Sequence, residues 1–303
     1  NYTAAQLKTI NDATSGAIVL ADASAALTGT AAEIKSALAG TITKHTGLVT
    51  LTDLTENLSG TSSELAAAFH GNISTQTGTV TITNNSYSVA ELKTINEATT
   101  GQIVLSVPNV NISGDSTDIA AAFAGNITTH TGTVTITNND YTLEELKTIN
   151  NASTGNITLN TNDVALSGSG SDLAAALNPV INYTGNITVT GNDYTAAQLK
   201  TINDTTSGTI TLSASNVALT GTVAELKAGF AGTITTHTGT VTITDAAGTD
   251  ITATDITSIN TTNTGTITVN NAIDINGSGS QIKAAFDAID QNTGNATANV
   301  TGT

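Results

Sequence analysis

Oxygen-rich turns are the first places where this sequence could hold an ion. Asp140, Asp163 and Asp193 close the segments Asn138-Asn139-Asp140, Thr161-Asn162-Asp163 and Gly191-Asn192-Asp193. Carboxylate, amide and backbone oxygens gathered in a turn are the donor set that calcium takes. The spacing matches neither an EF-hand loop nor the glycine-rich nonapeptide of calcium-binding β-rolls. Asn and Asp are also the ordinary residues of tight turns. A second candidate is a ladder of threonines: Thr50, Thr81, Thr135, Thr158, Thr188, Thr211, Thr242 and Thr268 recur at one repeat position, interrupted by Val19 and Val104. Pointing outward from a sheet, such a column offers hydroxyls and methyls that can order water. His45, His130 and His237 share another repeat position, occupied by Gln76 and Tyr183 elsewhere, while His70 sits apart from them. Three coils of a stacked sheet separate the nearest pair, roughly 14 Å at ~4.8 Å per strand. Metal–nitrogen bonds are near ~2 Å, so these imidazoles cannot share an ion and are expected to be exposed. The carboxylates follow the repeat with no unique cluster, and the chain has no Cys or Arg, so nothing predicts an enzyme.

These positions are defined by a repeat. A Ser-Gly or Thr-Gly step occurs at Gly16, Gly47, Gly78, Gly101, Gly132, Gly155, Gly185, Gly208, Gly239, Gly265 and Gly294, at intervals of 23 to 31 residues. Apolar residues stand two and four places after each of the first ten, as in Val134/Ile136 and Ile157/Leu159, and the residues between them are mostly Thr or Asn. Period-two alternation of β-branched residues predicts a half-buried strand. Self-similarity at this interval predicts a solenoid, in which each unit buries its apolar face against its neighbours.

Most coils carry a helix before the glycine. Thr3–Gln6, Ser88–Glu91, Thr142–Glu145 and Thr195–Gln198 read as capping boxes, as do Thr30–Glu33, Thr61–Glu64 and Thr222–Glu225. Tyr2, Tyr87, Tyr141 and Tyr194 precede the caps at the position of a hydrophobic staple. Long coils add a second short strand, such as Asn109–Ser113 or Asn216–Thr220. The expected fold is an α/β solenoid over residues 1–303. It has about eleven stacked coils, one strand of each in a single parallel sheet, and a full period of about 54 residues. Two consecutive long coils near the start break the alternation of long and short.

Composition narrows the function classes. Charged residues make up 11%, the net charge is −16, and all eight basic residues are Lys. Neutralising a nucleic-acid backbone needs clustered cations, so nucleic-acid binding is not expected. No apolar run approaches the roughly 18 residues of a membrane helix. Calcium is the one cofactor the sequence leaves open. The Asn-x-Ser/Thr triplets at Asn72, Asn126 and Asn186 follow from composition.

The sequence opens in the helix of a coil and stops just past a strand. Joining Thr303 to a second Asn1 reproduces the pattern of Val189–Gln198. Coils are therefore expected to continue across that junction, within one chain or between chains stacked head to tail. The Leu-Lys-Thr-Ile-Asn motif, followed by Thr-Gly and a strand such as Ile157-Thr158-Leu159, resembles repeats in very large secreted surface proteins of cyanobacteria. That resemblance implies an extracellular or cell-surface location and a part in adhesion, surface layers or motility. The expected function is a structural repeat module of a fibre or surface array. The alternatives are a calcium-stiffened adhesin spacer or binding module and, through the threonine row that resembles ice-binding solenoids, ice binding.

Overall fold

The computed structural model describes residues 2–69, 75–178, 180 and 182–301. His70 and Asn72 lie outside the described residues. The chain forms two compact units, one of Asn1–Tyr141 with Thr148–Asn160 and the other of Thr142–Lys147 with Thr161–Thr303.

The first unit runs α1 (Ala4–Ala13), β1 (Leu27–Gly29), α2 (Ala31–Ala37), β2 (Val49–Leu51), β3 (Leu58–Gly60), α3 (Ser62–Ala68), β4 (Val80–Ile82) and α4 (Val89–Glu97). It continues with β5 (Ile103–Leu105), β6 (Ile112–Gly114), α5 (Ser116–Phe123) and β7 (Val134–Ile136). Helix α6 (Leu143–Ala152) begins in the second unit and ends in the first, ahead of β8 (Ile157–Leu159). The second unit then contains β9 (Leu166–Ser169), α7 (Gly170–Leu177), β10 (Ile187–Thr190), α8 (Ala196–Thr205), β11 (Ile210–Leu212), β12 (Leu219–Gly221) and α9 (Val223–Gly229). It closes with β13 (Val241–Ile243), β14 (Asp250–Thr252), α10 (Ala253–Thr262), β15 (Ile267–Val269), β16 (Asp274–Gly277), α11 (Gly279–Ala288), β17 (Gln291–Asn292) and β18 (Thr297–Val300).

All seven capping boxes form, and Ser278–Gln281 adds one at α11. Each satisfies two backbone N–H groups that the helix itself leaves unpaired. Leu92, Ile95, Leu146, Ile149, Leu199 and Ile202 project from the buried face of their helices, at the i, i+3 spacing of an amphipathic helix. They meet the inward residues of the strands, among them Val80, Ile82, Val134, Ile136, Ile187 and Val189, to give a core of aliphatic side chains.

Among the described residues the strands pair in parallel, but in six separate sheets rather than the single sheet the repeat predicts. Strand β16 pairs between β14 and β18, but every earlier second strand of a long coil lacks a ladder of its own. Each starts the ladder that the following repeat strands extend: Leu58↔Val80↔Ile103 in one unit, Leu166↔Ile187↔Ile210 in the other. An isolated bridge adds a fourth rung, Ile103↔Ile127 or Ile210↔Ile234. The first repeat strand, at Ile18, is reduced to one bridge with Ile42. The last also departs from expectation, because Ala298 is exposed on edge strand β18 instead of facing inward.

Two spacings explain the interruptions. Helices start 27 residues apart, from Ser62 to Val89 to Ser116, while the paired strands are only 22 or 23 apart, from Leu58 to Val80 to Ile103. Successive rungs therefore lie 4, 9 and 13 residues ahead of the next helix, so the ladder slants toward the helix before it. Packed helices need about 8–10 Å, whereas paired strands sit about 4.8 Å apart. A slanted ladder accommodates both spacings, and it ends where its next rung would fall inside a helix.

Polar side chains tie neighbouring coils together. The Asn that closes the Lys-Thr-Ile-Asn motif donates to a last-turn carbonyl of the helix after it: Asn11 to Ser36, Asn96 to Ala121 and Asn203 to Ala228, with Ala231 just past α9 taking a second bond from Asn203. Tyr87 and Tyr194 are buried and donate through their hydroxyls to Val107 and Ala214, twenty residues on, as Tyr2 does to Asp22. Burial pushes the Tyr87 and Tyr194 phenols up to about 12. Asn203→Ala, which strips two helix-end carbonyls of a donor, is expected to cost about 2 kcal/mol in unfolding free energy by urea titration. An exposed control, Thr261→Ala, should change it by less than about 0.5 kcal/mol.

Candidate functional site

The repeat position of His45, His130 and His237 is the most chemically distinct place in the fold, and it is not on the surface. His45 is 4% exposed and the other two are fully buried, against the expectation from sequence. In each, Nε2 faces a carbonyl twenty residues back: Ala25 at 2.7 Å, Val110 at 2.7 Å and Val217 at 2.8 Å. Gln76 donates to Glu56 and Tyr183 to Val164 from the same position. Three side chains of different shape share one task, donating a proton to a carbonyl of the preceding coil. A buried carbonyl without that donor would cost about 1–3 kcal/mol, which is why the position holds a donor and why burial is tolerated.

The rings also pack. Phe123 lies 5.4 Å from His130 and Phe230 lies 5.3 Å from His237, centroid to centroid. On the far side, Nδ1 of His130 faces Ser153 Oγ at 3.4 Å, and Nδ1 of His237 faces Asn263 Oδ1 at 2.7 Å. Burial lowers the pKa of His130, with the Val110 bond opposing it. The signal missed in the sequence was the interchange of His with Gln and Tyr, all donors, seven or six residues after a Phe or Leu.

The turn aspartates stand singly. Asp140, Asp163 and Asp193 are all exposed, and no three His, Asp or Glu side chains converge among the described residues. Asp140 has a visible structural part. It accepts from Asn138 Nδ2 at 2.8 Å, and Asn138 Oδ1 accepts from the Ser116 backbone N–H that opens α5. Asn84 and Asp245 do the same for the first N–H groups of α3 and α9. The turns at Asn84, Asn138 and Asp245 thus cap the helix of the coil before them. Spacing alone gave no hint of it, because the partners are 22 residues apart and meet only through stacking.

The threonine positions fall in register. Thr28 pairs with Thr50, Thr135 with Thr158, Thr188 with Thr211, and Thr242 with both Thr220 and Thr268, while Thr81 pairs with Ser59 and Val104. Only Thr158 and Thr211 are exposed; Thr50, Thr81, Thr135, Thr188 and Thr242 are half-buried. Thr268, expected to face outward, is buried at 8% exposure on an interior rung held between those of Thr242 and Gln291.

A largely apolar cavity of about 380 Å³ lies in the first unit. It lies beside His45, with Leu38, Ile42, Ala66, Ala67 and Ala90 in its wall and Lys44 and Glu91 among its polar lining. No helix among the described residues is long and apolar enough to cross a membrane. Comparison with family models, curated proteins and solved structures finds no match for this chain.

His130→Gln, which keeps the donor, should leave stability within about 1 kcal/mol of wild type. His130→Leu should lose about 2–3 kcal/mol, because it leaves the Val110 carbonyl unpaired. Because burial disfavours the imidazolium, the unfolded chain takes up the extra proton as pH falls below the ordinary histidine value of ~6.5. Wild-type stability should therefore fall between pH 7 and 5, and urea titrations of His130→Gln should show a shallower fall.

Proposed function

We propose that this chain is a structural repeat module of an extracellular fibre, surface layer or giant surface protein. Its coils belong to one alternating α/β solenoid, extended by further coils of the same kind. The observation that carries this reading is that the coils satisfy one another. The caps of α3, α5 and α9, the ends of α2, α5 and α9, and the carbonyls of Ala25, Val110 and Val217 all find partners in an adjoining coil. A unit built this way gains stability by stacking and serves as a spacer or a scaffold.

The resemblance of the Leu-Lys-Thr-Ile-Asn repeats to very large cyanobacterial surface proteins supports the extracellular placement. Self-association head to tail is the partner proposed here, with neither nucleic acid nor cofactor required. Negative-stain electron microscopy with and without calcium tests the reading. Expected are filaments of one width that lengthen with protein concentration and do not depend on calcium. Particles that remain single at every concentration would overturn head-to-tail assembly. Filaments or a raised melting temperature only with calcium would shift the reading to a calcium-stiffened adhesin spacer.

A further inference from the structure

The donor two residues before the repeat glycine bridges, strand to strand, to one residue of the following coil: Gln76 to Thr99, His130 to Ser153, Tyr183 to Thr206 and His237 to Asn263. In the first three pairs that residue is a hydroxyl, which donates its proton to the carbonyl of Gln76, His130 or Gly185. Only beside His237 is it an amide, and Asn263 is fully buried together with the ring.

Both ring nitrogens of His237 therefore face acceptors. Nε2 lies 2.8 Å from the Val217 carbonyl, and Nδ1 lies 2.7 Å from Asn263 Oδ1. The amide is held in that orientation, because its Nδ2 donates to the Gly265 carbonyl at 2.7 Å. Carbonyl and amide oxygens only accept, so each contact needs a proton on the ring, and a neutral imidazole has one. Turning the Asn263 amide over moves the conflict without removing it. Its nitrogen would then serve Nδ1, but its oxygen would face the Gly265 carbonyl, two acceptors at hydrogen-bond distance. His130 is free of this constraint, since its Nδ1 meets a hydroxyl at the longer distance of 3.4 Å.

We propose that His237 is a buried imidazolium, protonated on both nitrogens at neutral pH, and that it clasps its coil to both neighbours until alkaline pH removes one proton. Burial opposes the charge. Two charge-assisted hydrogen bonds favour it, each about twice as strong as a neutral one. The Phe230 ring, 5.3 Å away, is within the roughly 6 Å at which an aromatic face attracts a cation. The His237 N–H donates to the Thr262 carbonyl and Asn263 closes α10, so the ring sits at the negative end of that helix. Val217, Phe230, Thr262 and Asn263 do not titrate, and among the described residues no Asp, Glu or Lys bonds to the ring. Loss of one proton to hydroxide turns a lone pair toward one of the two acceptors, and that contact parts.

Nitrogen NMR of the whole chain tests this. At about pH 7.5, above the ordinary histidine value, both His237 ring nitrogens should resonate as protonated, while His130 keeps one bare. The His237 signals are identified by their loss in His237→Gln or, should that variant fail to fold, by sequential assignment of the wild type. Asn263→Ser, which copies the partner of His130, should return His237 Nδ1 to a bare nitrogen at the same pH. A ring that is protonated when folded and neutral when unfolded stabilises fully below about pH 6.5, and the gain is lost as pH rises. The sign is opposite to that at His130. In urea titrations the stability of wild type relative to Asn263→Ser should therefore fall as pH rises from about 6 to 9. A bare Nδ1 on wild-type His237 overturns the proposal and is decisive even if Asn263→Ser does not fold. A difference between the two proteins that ignores pH overturns it as well.

Discussion

Backbone meets backbone at the repeat glycine, and the rest of the fold is hung on that contact. A Cβ added to Gly47, Gly78, Gly101 or Gly132 would come within 3.0 Å of main-chain atoms of the preceding coil, and the same holds for Gly155, Gly185, Gly208, Gly239, Gly265 and Gly294. Real Cβ atoms are essentially never that close, so only glycine lets the chain pass there. Gly16 differs, since a Cβ there would meet only Thr14 Oγ1, at 3.3 Å. None of these contacts needs a positive φ; the requirement is space. The close approach sets the separation at which the strand two residues later pairs with its neighbour.

Once that separation is fixed, the polar positions follow. A donor two residues before the glycine reaches a carbonyl of the preceding coil whether it is His, Gln or Tyr. The tyrosine ahead of a capping box reaches twenty residues forward, and the motif asparagine twenty-five. Each bond replaces water on a group that stacking has buried, so it counts for more by being present than by its net strength. The lysines add little by comparison. Lys93 with Asp118 and Lys147 with Asp172 bridge neighbouring helices, but these are exposed ion pairs that solvent screens.

What the sequence shows plainly is what depends on neighbours along the chain. The capping boxes are encoded within four residues and the strands within five, so both could be read directly. What it hid depends on registers that only stacking sets. His130 looked like a solvated residue because its partners, Val110 and Ser153, are 20 and 23 residues away. Asn138 and Asp140 read as turn residues, or as oxygen donors for an ion, because the helix end they serve belongs to the previous coil. The single sheet was mistaken for a similar reason. Counting glycines gives one strand per interval, but the mismatch between helix and strand spacing appears only when both are packed. The irregular pair of long coils was visible as a spacing of 31 and 31.

The account stands or falls on the glycine contact, and paired alanine substitutions measured by urea titration test it most directly. Gly155→Ala places a methyl against the Gly132 carbonyl and should lower the unfolding free energy by about 3 kcal/mol. Gly16→Ala, whose added Cβ would meet only the Thr14 hydroxyl at 3.3 Å, should change it by no more than about 0.5 kcal/mol. Equal effects at the two positions, or a Gly155→Ala protein as stable as wild type, would contradict the claim that backbone contact between coils sets this fold.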